Sequence, residues 1–242
     1  AFVSEWGEPD KALLAGYDMD FLLHFGPSHY NDLFRCENPY FAHEGGGDLS
    51  EFFGLYMENY KKTCLYDKHV ALGAKMSPFG GFDMPIEYST IKDEHMAVRT
   101  AAGIFDVSHM GEIFVSGADA EKFVNHIFTN DITDAPYGKI YYGIMCYPDG
   151  GSVDDLLVYK MKGDLYLLVV NAANIDKDDA WIRKQSKGYD VTIDNKSDVY
   201  GQVAVQGPLA EEKVERLLGR AVKDLAFYTF KEIDLDGETI IA

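Results

Sequence analysis

Asp155, with Asp154 beside it, is the residue of this 242-residue sequence best placed to do chemistry. Both sit in residues 153–160, an apolar run with the spacing of a β-strand, where successive side chains point to opposite faces. Val153, Asp155, Leu157 and Tyr159 are therefore expected on one side, and three of those four suit burial. A carboxylate in that company either stands at a mouth of the core or needs a hydrogen-bonding partner, because burying it alone costs on the order of several kcal/mol. Asp154 is expected on the opposite side, beside Lys160 and in water. Two readings of Asp155 stand at this point. It is a functional carboxylate, or it is a structural acceptor for the amides of the neighbouring Gly150-Gly151 turn.

The other candidates carry less. Ser108 and His109 suggest a nucleophile and its base, but adjacent strand residues point apart, so no dyad is expected. The seven histidines have no metal-binding spacing, and no metal is expected. The three cysteines (Cys36, Cys64, Cys146) are odd in number and widely spaced, which excludes a disulfide framework or a four-cysteine zinc site and fits a reducing cytoplasm. Cys146 lies in a strand pattern and is expected to be buried. Residues 77–83 are glycine-rich but lack the lysine and following helix of a phosphate loop. The net charge of −18 repels phosphate backbones and anionic membranes, so neither nucleic acid nor a membrane is an expected partner. No basic-then-apolar leader is present, and a start at Ala1 suggests a fragment.

The elements that must position Asp155 are legible from periodicity. Helices are expected at 93–102, 119–128, 174–185 and 209–218, the second with Ala120, Phe123, Val124 and Ile127 on one face. Strands are expected at 104–115, 140–146, 153–160, 165–170, 190–193, 199–206, 228–235 and 239–241. Pro148-Asp149-Gly150-Gly151 and Lys162-Gly163-Asp164 are hairpin signals. Hairpins interleaved with helices predict an α+β fold of antiparallel sheets with packed helices.

Composition changes sharply near residue 63. Residues 1–63 hold 13 of the 33 aromatic residues but no isoleucine and one valine, whereas residues 64–242 hold 14 isoleucines and 15 valines. β-Branched residues favour strands, so the first segment lacks strand-forming material. It is expected to be an unrelated, poorly packed tail of helices and loops, with the seam at Lys62–Cys64. Val3-Ser4-Glu5-Trp6-Gly7, Lys11-Ala12-Leu13 and Gly16-Tyr17-Asp18-Met19-Asp20-Phe21 resemble part of the alpha-amylase-type glycoside hydrolases. That resemblance would make Glu5 the acid, but the chemistry needs a second carboxylate and a complete barrel of about 250 residues. A carbohydrate-active protein acting through residues 1–63 is therefore a lesser alternative.

The second segment resembles a different family, with motifs in one register along residues 64–242. They include Leu65-Tyr66-Asp67-Lys68-His69-Val70, Pro78-Phe79-Gly80-Gly81-Phe82-Asp83-Met84-Pro85 and Phe105-Asp106-Val107-Ser108-His109-Met110-Gly111-Glu112. Thr129-Asn130-Asp131, Gly150-Gly151-Ser152-Val153-Asp154-Asp155-Leu156, Val169-Val170-Asn171-Ala172-Ala173-Asn174 and Gln206-Gly207-Pro208 continue it. This pattern resembles the N-terminal half of the T-proteins of glycine cleavage systems, the aminomethyltransferases.

The resemblance implies a T-protein-like folate-binding domain. It further implies an enzyme that takes an aminomethyl group from the lipoyl arm of H-protein, releases ammonia and passes the methylene carbon to tetrahydrofolate. The family's essential aspartate matches Asp155, its folate-contacting tyrosines match Tyr142 and Tyr159, and other folate-lining positions match Met110, Val169 and Asn171. Phe114 stands where the family often has a smaller aliphatic residue. Cys64 replaces a common proline. The sequence stops at Ile240-Ile241-Ala242, ahead of the family's glycine-rich loop, so an incomplete site with little activity is expected. A folate-binding relative without transferase chemistry is the remaining alternative.

Overall fold

The computed structural model describes residues 60–223 and 225–242; the expected N-terminal tail, Glu5 included, lies outside the described residues. The described residues open with helix α1 (Tyr66–Ala71) and a hairpin of β1 (Lys75–Phe79) and β2 (Phe82–Glu87). Neither was legible from periodicity. The hairpin turn is Gly80-Gly81, both at positive φ (58° and 86°), the pair of backbone conformations that a two-residue type I′ turn requires. Helix α2 (Ile91–Thr100) follows. Thr90 caps it by accepting the Asp93 N–H, and Glu94 reaches back to accept the N–H groups of Tyr88 and Ser89.

A single strand was expected over residues 104–115, but there are two, in different sheets. β3 (Gly103–Asp106) pairs with β9 (Val203–Gln206), while β4 (Gly111–Ser116) joins the main sheet. The break is made by Asp106, whose Oδ1 accepts the Ser108 N–H at 2.9 Å, and by the Met110 N–H closing a turn onto Val107. An aspartate bonding the backbone two residues on is a turn former, and here it overrides strand propensity. The strands expected at 199–206 and 228–235 are likewise shorter, at Val203–Gln206 and β10 (Glu232–Leu235), and 190–193 shifts to β8 (Thr192–Asn195).

The remaining elements fall close to expectation. They are α3 (Ala120–Ile127), β5 (Ile140–Cys146), β6 (Ser152–Lys160), β7 (Leu165–Val170), α4 (Ile175–Gln185), α5 (Ala210–Leu218) and β11 (Glu238–Ile241). The main sheet is antiparallel with strand order β5-β6-β7-β4-β8, so the α+β class holds. One face, the helix face, carries the larger core: Ile113, Val115, Val158 and Leu168 meet Phe123, Val124 and Ile127 of α3 and Ile182 of α4. The opposite, front face has a smaller cluster of Phe114, Met161, Leu167, Val169 and Phe230. Among the described residues no helix is long and apolar enough to cross a membrane.

A buried knot ties α1 and the preceding residues to β3. The Asp106 side chain is fully buried and accepts from Thr63 Oγ1 at 2.6 Å and His69 Nε2 at 2.8 Å. His69 Nδ1 lies 2.6 Å from the Tyr88 hydroxyl, so the tautomer with its proton on Nε2 satisfies both ring nitrogens. Burial by itself raises Asp106, but the bonds from Thr63, Ser108 and His69 outweigh it and hold the carboxyl below its usual range. Asp106→Ala strips three donors of their acceptor and is expected to cost about 3–5 kcal/mol in urea denaturation. A loss under about 1 kcal/mol would mean that packing alone holds these elements together.

Candidate site on the front of the sheet

The pleat and the register gather the candidate residues onto the front face. Tyr142 on β5 lies opposite Leu157 on β6, Leu157 opposite Val169 on β7, and Val169 opposite Glu112 on β4. The next row is Ile140, Tyr159, Leu167 and Phe114. Asp155 lies opposite Ile144 in the row on the other side, with Asn171 just past the end of β7 beside it. Met110 precedes β4 and packs against the same front cluster. The seven residues therefore share one face, although they are four consecutive strands and some sixty positions apart in sequence.

They differ in access. Asp155 is exposed and Tyr142 is 53% exposed. Asn171, Tyr159 and Met110 are half-buried, whereas Phe114 and Val169 are buried. The Tyr142 hydroxyl donates to Asp155 Oδ2 at 2.8 Å, and Asn171 Nδ2 donates to Asp155 Oδ1 at 3.0 Å, so each carboxylate oxygen has a fixed donor. Donating to Asp155 raises the Tyr142 phenol above its ordinary range, with nearby Tyr228 adding to the effect. Tyr142 is itself placed by the loop after α3. Thr129 exchanges bonds with the Ile144 backbone, and Asn130 Nδ2 donates to the Tyr142 carbonyl at 2.6 Å. Gly143 is required there, since a Cβ would lie 2.7 Å from the Phe128 ring.

The structure overturns several expectations about this strand. Val153 does not share the face of Asp155. The register slips between Met145 and Cys146, leaving Val153 as the extra residue of a β-bulge, and its side chain joins the helix-face core. Asp155 makes no bond to the Gly150-Gly151 turn, whose amides bond to Tyr147 O and Asp149 Oδ1. Asp154 is not in water: it is 6% exposed, covered by the start of α4. It accepts from Asn171 Nδ2 (3.1 Å) and Asn174 Nδ2 (2.9 Å), and these bonds, with the neighbouring Asp178 carboxyl, outweigh its burial and hold it below the usual carboxylate range. Cys146, expected inside, is exposed on the edge strand. Ser108 and His109 form no dyad, but they lie buried in the turn after β3 rather than on a strand. Ser108 Oγ exchanges bonds with the Gln202 backbone.

Two residues of the face escaped sequence reasoning. Tyr228, read as the start of a strand, has φ of 54° in a loop whose backbone bonds to the start of β5, and its phenol influences both Tyr142 and Tyr159. Nothing local in the sequence marks it. Glu112 is 3% exposed with neither carboxyl oxygen hydrogen-bonded among the described residues, and burial pushes it up to about 7. Its signal was available, because it alternates with Phe114 and must share that residue's side of β4. Beside Met110 opens a cavity of about 230 Å³, lined also by Lys61, Lys62, Ser108, Asp176 and Tyr200.

Comparison with known proteins follows the same residues. The model of the GCVT N-terminal domain matches residues 65–242. The chain is 49% identical over 182 residues to an aminomethyltransferase of Lysinibacillus sphaericus, covering 75% of this chain and 50% of that protein. It is 46% identical over 183 residues to one of Thermotoga maritima, with the same coverage of 75% and 50%. The crystal structure of glycine cleavage system aminomethyltransferase T from Bartonella henselae superposes with a TM-score of 0.68 at 30% identity, over 73% of this chain and 48% of that one. The chain thus spans about half the length of the relatives it matches. On the match over residues 65–242 and the shared fold, the chain belongs to the GCVT N-terminal domain family.

Proposed function

We propose that this chain carries the folate-binding face of an aminomethyltransferase of the glycine cleavage system, with Asp155 as the residue that touches the reacting atoms. The observation that supports this reading most is the state of Asp155. It is an exposed carboxylate with both oxygens held by donors, standing above a floor of Val169, Leu157 and Tyr159 on which a flat heterocycle can lie. A reduced pterin needs an apolar bed, aromatic edges and a fixed acid, and Leu157 with Val169, Tyr142 with Tyr159, and Asp155 supply them on one face.

Tetrahydrofolate, the acceptor, supplies the nucleophilic nitrogen that takes the methylene carbon as ammonia departs. Asp155 stands where positive charge gathers on that carbon, and a carboxylate already fixed by Tyr142 and Asn171 stabilises it without reorganising. Electrostatic stabilisation fits better than proton abstraction, because each Asp155 oxygen is already engaged by a hydrogen-bond donor. Tyr142 adds a half-exposed phenol whose ring can flank the pterin. The lipoylated H-protein of the same system is the donor this chemistry needs. Its long arm has to reach an exposed edge of the sheet, and Tyr142, Ile144 and Asp155 supply one. The free, exposed Cys64 and Cys146 support a reducing, cytoplasmic setting.

Calorimetric titration of the 242-residue chain with tetrahydrofolate tests this reading. Binding is expected, and Asp155→Ala is expected to weaken it about tenfold, or ~1.4 kcal/mol. No heat with the unaltered chain, or equal affinity in the variant, would refute the assignment. Glu112 yields a second test that needs no ligand. Its carboxyl is raised in the folded protein, so its contribution to stability is present in acid and is lost as pH rises towards 7. Glu112→Gln is therefore expected to raise the melting temperature, with a gain that is larger at pH 8 than at pH 5. A gain independent of pH would show that Glu112 does not titrate in this range.

A further inference from the structure

Behind Asp155, on the helix face, lies a second carboxyl pair that the chemistry above does not use. Asp178 on α4 is fully buried, and Lys177 Nζ bonds its Oδ1 at 2.6 Å. Its Oδ2 has no donor among the described residues, yet the side chain is within hydrogen-bonding reach of Asp154. Two ionised carboxylates cannot hold that contact, because neither has a proton to give. One proton between them resolves it: Asp178 Oδ2–H donates to Asp154, and the orphaned atom becomes a donor.

Asp154 is in turn the anchor of Asn171. It accepts from the Asn171 backbone N–H at 3.4 Å and from Nδ2 at 3.1 Å, while the same Nδ2 reaches Asp155 Oδ1 at 3.0 Å and the Asp155 carbonyl at 3.2 Å. One amide group thus spans the end of the sheet from the buried acid to the exposed one. We propose that Asp178 is a positioning residue of the site, sharing a proton with Asp154 and thereby fixing Asn171 and, through it, Asp155. This rests on the folate reading given above.

The charges around the pair are few. Asp154 and Asp155 come from β6, Tyr142 from β5, and Lys177 from α4 itself. With one proton the pair carries a single negative charge, which Lys177 balances. Burial, with Asp154 beside it, raises Asp178 to about 7 against the pull of Lys177. Above that pH the pair becomes doubly charged, the donated bond is lost and repulsion loosens Asp154 from Asn171.

Two measurements test the device, one of them without ligand. The Asn171 side-chain amide resonances, followed by NMR from pH 5.5 to 8.5, are expected to titrate near 7 in the unaltered chain. They should stay fixed in Asp178→Asn, whose amide donates to Asp154 at every pH. Resonances that titrate identically in both proteins would overturn the positioning role. The second measurement is tetrahydrofolate affinity over the same range. It is expected to fall by up to about tenfold per pH unit above 7 in the unaltered chain, to stay level in Asp178→Asn, and to be low at every pH in Asp178→Leu. Unimpaired binding by a folded Asp178→Leu would refute the proposal. If the amide titrates as expected but no tetrahydrofolate binds, the positioning of Asp155 stands and the ligand assignment is what fails.

Discussion

A pleated strand sends neighbouring side chains to opposite faces, so the pair Asp154-Asp155 puts one acid into the interior and one into solvent. The rest of the site depends on how each is partnered. Asn171 serves both, and its place just past the end of β7 lets a single side chain reach either face of the sheet. The interior acid is held by donors from Asn171 and Asn174, which makes its burial tolerable. The exposed acid is held by Tyr142 and Asn171, which leaves it oriented but open.

The two faces of the sheet do different jobs. The helix face carries the larger core, with fully buried Phe123, Ile132, Leu168, Ile182 and Val158. The front face tolerates features that stability alone would remove. Glu112 lies in it with no carboxyl partner among the described residues, and Tyr142 and Ile144 stay exposed on an edge strand. An unpaired buried carboxyl costs roughly 1–3 kcal/mol or more, and its persistence on the face that also holds Asp155 fits a surface shaped for binding.

Much of this was legible in the sequence, and what was missed has identifiable causes. Strands β5 and β7 and helix α3 followed from alternation and a clean apolar stripe, because nothing non-local competes with those signals. The step from β3 to β4 was missed because Asp106 turns the chain by a side-chain bond to its own backbone. The side of Val153 was misread because a bulge changes parity, and hydropathy does not reveal bulges. Asp154 was placed in water because its cover comes from α4, some twenty residues on, and only the fold brings them together. The resemblance named Asp155, Tyr142, Tyr159, Asn171, Val169, Met110 and Phe114, and the structure sets these seven on one face. Tyr228 joins them only once the sheet exists, whereas Glu112 could be placed there by its alternation with Phe114.

The front face, organised around Asp155, is the proposed binding surface for tetrahydrofolate. Chemical-shift mapping of the 242-residue chain on adding tetrahydrofolate tests this most directly. Changes are expected at Tyr142, Asp155, Val169 and Asn171, with α3 and the outer surface of α4 silent. Changes concentrated instead around Glu121, Asn125 and Asp131 on the helix side, with Asp155 unmoved, would contradict the account.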